Sequence, residues 1–219
     1  MKEVIVIPGA EECLHALRRI SCHMDLEEMS GLTTIRAEAD RSVYRWQKGG
    51  TAYYVKVWWA VGIVRFLKDA VRGGMGAVRE AQGALLLRAC GLHTPQLVAY
   101  GQRKKTLLRG CSYIVTEEIP DSETLGDYLT KNNDVDLGRE LGRAVFAMHA
   151  GNLTHGDLHP QNILVSRMPR KELYFLDCME VRRTKSARAK WSDLINFFYY
   201  ADRFKWQEAD RVHCEILGA

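Results

Sequence analysis

The sequence predicts an α+β fold of two lobes, a β-rich N-lobe followed by an abbreviated, mainly helical C-lobe. Three observations carry that expectation. Strand-like runs dominate the chain up to Thr116, with one long helical pattern among them. Helical patterns dominate after Glu117. Between the two, Thr116-Glu117-Glu118-Ile119-Pro120 forms a natural hinge. The expected division is an N-terminal helical extension over residues 1–31, an N-lobe of sheet plus one long helix over 32–116, and a C-lobe over 117–219. The 219 residues suffice for two lobes sharing a cleft.

In chain order, residues 10–29 read as helix, because Leu14, Leu17 and Ile20 recur at helical spacing. Residues 33–39 and 42–47 read as two strands, and Lys48-Gly49-Gly50 turns the second into a third over 51–59. A Gly-Gly turn between alternating runs is a good hairpin signal. Residues 77–90 carry a helical pattern that Gly91 stops and Pro95 follows. Residues 96–100 and 112–116 read as further strands. Helices follow over 124–130 and 137–150, then a polar loop, a hairpin of 163–166 with 172–176, and a helix over 187–201. Leu194, Phe197, Phe198 and Ala201 give that last helix an apolar stripe of core type.

The composition, 47% hydrophobic and 26% charged, is that of an ordinary globular protein. Six cysteines are scattered without a C-x-x-C pair, which argues against a zinc site or a disulfide framework and fits a reducing cytosol. The N-terminal apolar stretch is too short for a secretory signal. The longest strongly apolar run, Val57 to Val64, falls far below the roughly 18 residues that span a bilayer. The expectation is a cytoplasmic protein, at most peripheral to a membrane. The net charge of +4 is unevenly placed: between Arg41 and Thr116 thirteen Lys or Arg stand against two acidic residues, Asp69 and Glu80. Such a basic module suits anionic ligands, phosphorylated substrates or an anionic membrane face, with a solvated surface as the plain alternative. No recognised nucleic-acid motif accompanies the charge, so nucleic acid is not an expected partner. The oligomeric state is not legible.

The run His155-Gly156-Asp157-Leu158-His159-Pro160-Gln161-Asn162-Ile163-Leu164 carries the most chemistry. Asp157 is followed five residues later by Asn162, then by an apolar strand-like run and a second carboxylate at Asp177. Phosphoryl transfer needs one carboxylate to hold the acceptor hydroxyl and oxygen ligands that place Mg²⁺ against the ATP phosphates. Read alone, the run is equally a polar turn with solvated carboxylates. Two residues elsewhere change the balance. Lys56 lies among large apolar neighbours in Tyr53-Tyr54-Val55-Lys56-Val57-Trp58-Trp59, where an unpartnered ammonium is costly. Glu80, the only glutamate between Arg41 and Thr116, falls on the following helix, while its rival Asp69 lies in a less regular stretch. A lysine held by a carboxylate is the cation such a reaction places on the ATP phosphates. Asp157 is therefore the candidate catalytic residue, Lys56 and Glu80 the ATP-binding pair, and Asn162 and Asp177 the Mg²⁺ ligands.

These five residues stand in the order and contexts of the protein kinase-like superfamily, which the chain resembles over nearly its whole length after residue 32. His155-Gly156-Asp157 resembles the H-R-D triplet with Gly for Arg, a form common in small-molecule and sugar kinases of that superfamily. The missing Arg removes the usual docking point for an activation-loop phosphate, so no such switch is expected. More narrowly, the chain is similar to the lipopolysaccharide core kinases that phosphorylate heptose or Kdo sugars. That likeness runs through Arg79-Glu80-Ala81 leading to Leu92-His93-Thr94-Pro95, and through Phe175-Leu176-Asp177 followed by a basic segment.

The resemblance implies an ATP- and Mg²⁺-dependent kinase with a sugar or glycolipid acceptor, the lipopolysaccharide core, at the cytoplasmic face of the inner membrane. No G-x-G-x-x-G separates the first two strands, and Ala39-Asp40-Arg41-Ser42 stands in its place. Backbone amides or Arg41 are the candidates to cover the phosphates, and Glu118 in the hinge is a further cofactor-binding candidate. Tyr54 stands where protein kinases carry a small residue against adenine, and Cys178-Met179 replaces the Phe-Gly that follows the metal-binding Asp. His155 is expected to be structural, His159 an exposed loop histidine, and Asp193 a brace beneath the catalytic loop. Arg182-Arg183-Thr184-Lys185 reads as acceptor-phosphate contacts or as a solvated basic loop. Three other readings stay open: an aminoglycoside-type small-molecule phosphotransferase, an atypical Ser/Thr protein kinase, and a pseudokinase scaffold. The last usually lacks the Lys, the loop Asp or the metal Asp, and all three are present here.

Overall fold

The computed structural model describes residues 2–5, 31–61, 74–106, 109–167 and 170–203. The helix expected over residues 10–29 lies outside the described residues. The chain divides into two compact units, Met1–Ala81 with Pro95–Glu118, and Gln82–Thr94 with Ile119–Ala219.

The first unit is built on a six-stranded antiparallel sheet. Its strands are β1 (Lys2–Ile5), β2 (Leu32–Ala37), β3 (Arg41–Lys48), β4 (Thr51–Val61), β5 (Leu97–Thr106) and β6 (Arg109–Glu117), in the order β1-β5-β6-β4-β3-β2. Sequence reading places residues 1–31 in a helical extension, but Lys2–Ile5 pair with β5 as an edge strand. The β-branched Val4 and Ile5 favour that extended state. The β3–β4 hairpin closes on Gly49 and Gly50, whose φ values of +57° and +83° suit a two-residue hairpin turn. Alternation along β4 buries Val55, Val57 and Trp59 with Tyr44, Trp46, Tyr113 and Val115, while Lys56 and Trp58 point to the opposite face.

Onto that opposite face comes α1 (Gly76–Ala89). Small residues let it approach: a Cβ on Gly76 would lie 2.8 Å from the Trp58 indole, and Ala77 and Ala81 are fully buried. The division between units falls inside α1. Its second half, with Ala84 and Leu87, joins the apolar core of the second unit together with Leu92.

The second unit contains β7 (Ser122–Thr124), α2 (Leu125–Lys131), α3 (Val135–Ala150), β8 (Leu153–Thr154), β9 (Ile163–Ser166), β10 (Glu172–Phe175), β11 (Arg182–Arg183) and α4 (Ala187–Arg203). Thr124 caps α2 by accepting from the Asp127 amide, and Asp134 caps α3 by accepting from the Leu137 amide. Leu141, Val145, Met148, Phe175, Leu194, Phe197 and Ala201 centre the core, so the stripe expected on α4 is core, with Phe198 partly buried beside it. Strands β10-β9-β7 form one small sheet and β11-β8 another. The chain from β8 to β9 is the loop bearing Asp157. No described helix is long and apolar enough to cross a membrane.

Candidate active site

In the first unit, the approach of α1 sets Glu80 against β4. Lys56 Nζ donates to Glu80 Oε1 at 2.8 Å, and Glu80 is only 7% exposed. Pairing offsets the cost of holding either charge alone in a partly dehydrated site. The lysine and glutamate singled out from the sequence are thus brought together.

In the second unit, the loop bearing Asp157 is held by hydrogen bonds with Asn162 and with α4. Asn162 Nδ2 donates to the Asp157 carbonyl at 3.0 Å and to Asp157 Oδ2 at 3.1 Å. That commits the amide nitrogen and turns the Asn162 Oδ1 to other use. Below the loop, Asp193 of α4 is 2% exposed and accepts from the His155 and Gly156 amides, both at 2.7 Å. His149 Nε2 lies 3.2 Å from the same carboxylate. The brace expected of Asp193 is present, while the His149 contact went unread. His155 is fully buried, tilted against Phe175 with ring centroids 6.3 Å apart. Burial is the largest influence and pushes its pKa down, against the charges of Asp193, Asp157 and Asp177. The Leu176 backbone pulls the same way as those charges, without meeting the geometry of a full hydrogen bond to either ring nitrogen.

Gly156 has φ +80°, and a Cβ there would lie 2.8 Å from the Glu180 carbonyl oxygen. A side chain is excluded on both conformational and steric grounds, so the Gly that stands in place of Arg is required by this loop. Register carries the second metal candidate: Ile163 pairs with Phe175, and the Leu176 amide donates to the Asn162 carbonyl at 2.8 Å. Asp177 follows directly, in the left-handed region at φ 50°, a conformation non-glycine residues adopt mainly where surroundings impose it. Gly83 of α1 presses on the next residue, since a Cβ there would sit 1.9 Å from the Cys178 carbonyl oxygen. A glycine in mid-helix costs about 1 kcal/mol relative to alanine, which is the signal that could have marked Gly83 as a packing residue.

His159 is corrected by the structure. Its side chain is 18% exposed rather than exposed, tilted against Tyr200 at 4.9 Å between centroids. Its Nδ1 accepts from the Gln161 amide at 3.2 Å, capping the short helical turn Pro160–Asn162, and its Nε2 lies 3.8 Å from Asp157 Oδ2.

Glu118 is engaged elsewhere. Arg45 Nε donates to both its carboxylate oxygens, at 2.9 and 3.1 Å, and Arg45 Nη2 donates to Oε2 at 2.6 Å. The guanidinium lowers the Glu118 pKa, while burial, and then the Glu118 charge, push that of Tyr54 up. A ligand reaching the Glu118 carboxylate would meet Arg45 there, a residue that sequence reading passes over because the pair is 73 positions apart. Arg41 opens β3 opposite Trp58 and is half-buried.

Asn162 and Asp177 offer oxygen atoms, the donor type that Mg²⁺ takes, alongside waters and substrate phosphates. No group of three or more His, Cys, Asp or Glu that could hold a metal occurs among the described residues.

A family model described as the lipopolysaccharide kinase (Kdo/WaaP) family matches residues 26–214. The mouse EKC/KEOPS complex subunit Tp53rkb is 30% identical over 149 residues, covering 64% of this chain and 57% of that protein. The lipopolysaccharide core heptose(I) kinase WaaP of Pseudomonas aeruginosa is 31% identical over 143 residues, covering 60% of this chain and 50% of that protein. The chain therefore spans about half the length of the curated relatives it matches. Among solved structures, WaaP in complex with acyl carrier protein superposes with a TM-score of 0.71 at 21% identity, covering 100% of this chain and 90% of that one. The expected α+β kinase-like fold is the one observed.

Proposed function

Because the chain belongs to the lipopolysaccharide kinase (Kdo/WaaP) family, we propose that it transfers the γ-phosphoryl group of ATP to a sugar hydroxyl of the lipopolysaccharide inner core, on heptose or Kdo. The observation that carries this reading is the hold on Asp157: Asn162 fixes its carbonyl and its Oδ2, and Asp193 fixes the two residues before it. A carboxylate so oriented takes the proton of an acceptor hydroxyl as that oxygen bonds to the γ-phosphorus. The bond to the β–γ bridging oxygen then breaks and ADP leaves. Lys56, kept in place by Glu80, lies along the ATP phosphates, and the Asn162 Oδ1 and Asp177 carboxylate are the Mg²⁺ ligands. Mg²⁺, when bound, neutralises charge that develops on the phosphates. Positioning and charge stabilisation supply most of the acceleration. The acceptor places the enzyme at the cytoplasmic face of the inner membrane.

Mass analysis of lipopolysaccharide core from cells with and without the protein tests the acceptor. Loss of one phosphate per core in its absence supports the assignment, and unchanged phosphate content overturns it. Asp157→Ala tests the chemistry separately, since phosphoryl transfer should fall at least about a thousandfold while ATP binding persists.

A further inference from the structure

The outer face of α4 is not what an ordinary surface helix presents. Its inner face buries Asp193, Leu194, Phe197 and Ala201. A helix with one core-facing stripe is expected to be polar on the other side. Instead, Trp191, Ile195 and Tyr199 are 45%, 66% and 63% exposed. Their four-residue spacing puts them in one row, roughly 12 Å long at 1.5 Å per residue.

The row begins where an acid-free basic run ends. From Val181 to Ser192 the chain holds Arg182, Arg183, Lys185, Arg188 and Lys190 and no carboxylate. The first four are exposed, and Lys190 donates to Asn152 Oδ1 at 3.3 Å. Arg188 falls on the same helical face as Trp191, Ile195 and Tyr199, three, seven and eleven residues before them. Arg182 and Arg183 form β11, paired with Thr154 and Leu153 of the strand that leads into His155, Gly156 and Asp157. Within this one unit, the cations of β11 therefore adjoin the strand that leads into the Asp157 loop.

We propose that β11 and the outer face of α4 dock the enzyme on an anionic lipid bilayer. Trp191, Ile195 and Tyr199 sit at the boundary of headgroups and acyl chains, and Arg182, Arg183, Lys185 and Arg188 lie on lipid phosphates. Tryptophan and tyrosine, each with an apolar body and a polar tip, are the residues that settle at this boundary, and a basic flank supplies the electrostatic half of interfacial binding. A second copy of the chain fits less well, because a two-fold contact sets the same patch against itself, and this one would bring two acid-free basic runs together. The significance of docking rests on the proposed glycolipid acceptor, which is itself anchored in a bilayer; docking would then hold the enzyme on the surface that carries it.

Co-sedimentation of the full chain with phosphatidylcholine vesicles, with and without phosphatidylglycerol, tests the surface without ATP or acceptor. Its failure therefore leaves the phosphotransfer reading standing, and failure of that reading leaves the vesicle result standing. Wild type should bind the anionic vesicles and lose binding as salt rises. The triple substitution Trp191→Ser, Ile195→Ser, Tyr199→Ser should weaken partitioning about tenfold or more, with phosphoryl transfer to a soluble acceptor unchanged. Arg182→Glu with Arg183→Glu should remove the preference for phosphatidylglycerol. Absence of wild-type binding would overturn the proposal, and so would binding that the triple variant keeps in full. A wild-type dimer that Ile195→Asp converts to monomer would also overturn it, by assigning the face to a second copy.

Discussion

Asp193 Oδ1 accepts the Gly156 amide at 2.7 Å, and its Oδ2 accepts the His155 amide at the same distance. A carboxylate from the second turn of α4 thereby holds two successive peptides of the loop that ends at Asp157. Asp193→Ala leaves the buried His155 amide and the partly buried Gly156 amide without this acceptor and should destabilise by about 1–3 kcal/mol. Asp193→Asn keeps the shape but turns a donor towards one of two donors. Turnover should fall about tenfold or more, with a melting temperature a few degrees lower. Wild-type turnover in Asp193→Asn would show that the brace does not position Asp157.

Gly83 is closed to any side chain. A methyl group there would meet the Cys178 carbonyl at 1.9 Å, against backbone that cannot swing aside as a flexible side chain does. Gly83→Ala would normally stabilise a helix by about 1 kcal/mol. Here it should instead lower stability by roughly 1–3 kcal/mol and shift Asp177, the residue before Cys178. Thermal melts read the first effect, and the Mg²⁺ dependence of turnover reads the second. A melting temperature at or above wild type would show that α1 can move away.

Local signals account for most of what could be read from the sequence. Gly49 and Gly50 turn the β3–β4 hairpin by themselves, and the five-residue interval from Asp157 to Asn162 is also the span of the hydrogen bond between them. Lys56 and Glu80 were linked by scarcity, there being no other glutamate in that segment. Contacts that depend on where distant elements come to rest left no such trace. Arg45 reaches Glu118 across 73 positions, and His149 reaches Asp193 across 44. Sequence reading leaves His159 exposed because Tyr200, the ring it tilts against, lies forty-one residues later on α4.

Breaking the Lys56–Glu80 pair separates charge from position. Lys56→Met removes the cation and leaves a carboxylate that is 9% exposed in its side chain. Phosphoryl transfer should fall about a hundredfold, with some loss of stability because the glutamate loses its ion pair with the lysine. Glu80→Gln keeps a hydrogen-bond acceptor for Lys56 and should be milder, about tenfold, expressed chiefly in the Michaelis constant for ATP. An unchanged Michaelis constant in Glu80→Gln would mean that the glutamate does not orient the lysine.

Acid should reveal the cap of α3. Burial alone would raise the Asp134 pKa, but hydrogen bonds from Lys171, the Leu137 amide and Tyr128 outweigh it and hold it at about 2, down from 3.8. With the folded value depressed, the stabilisation is fully present above pH 3.8 and is lost as pH falls towards 2. Lys171 is 43% exposed, so solvent screening reduces the contribution to about 1 kcal/mol. The stability gap between wild type and Asp134→Asn in urea titrations should therefore be constant near neutrality and shrink towards pH 2. A gap that widens on acidification would reverse the assigned direction.

His159 turns one ring nitrogen to the Gln161 amide and the other towards Asp157. Because Nδ1 accepts from the Gln161 amide, the neutral ring carries its proton on Nε2, the nitrogen that faces Asp157 Oδ2 at 3.8 Å. That separation is longer than a hydrogen bond, and such gaps commonly tighten once substrate fills the site. Asn162 already donates to the same Oδ2, so a second donor there would leave Oδ1 to receive the acceptor hydroxyl. His159→Phe preserves the ring on Tyr200 but removes both nitrogens, and His159→Asn preserves an acceptor for the Gln161 amide while withdrawing the donor. Both should lower kcat about tenfold with little change in the Michaelis constant for ATP. His159→Asn should melt closer to wild type than His159→Phe, because it keeps the cap. If only His159→Phe loses activity, the ring supports the Pro160–Asn162 turn and has no part in orienting the carboxylate.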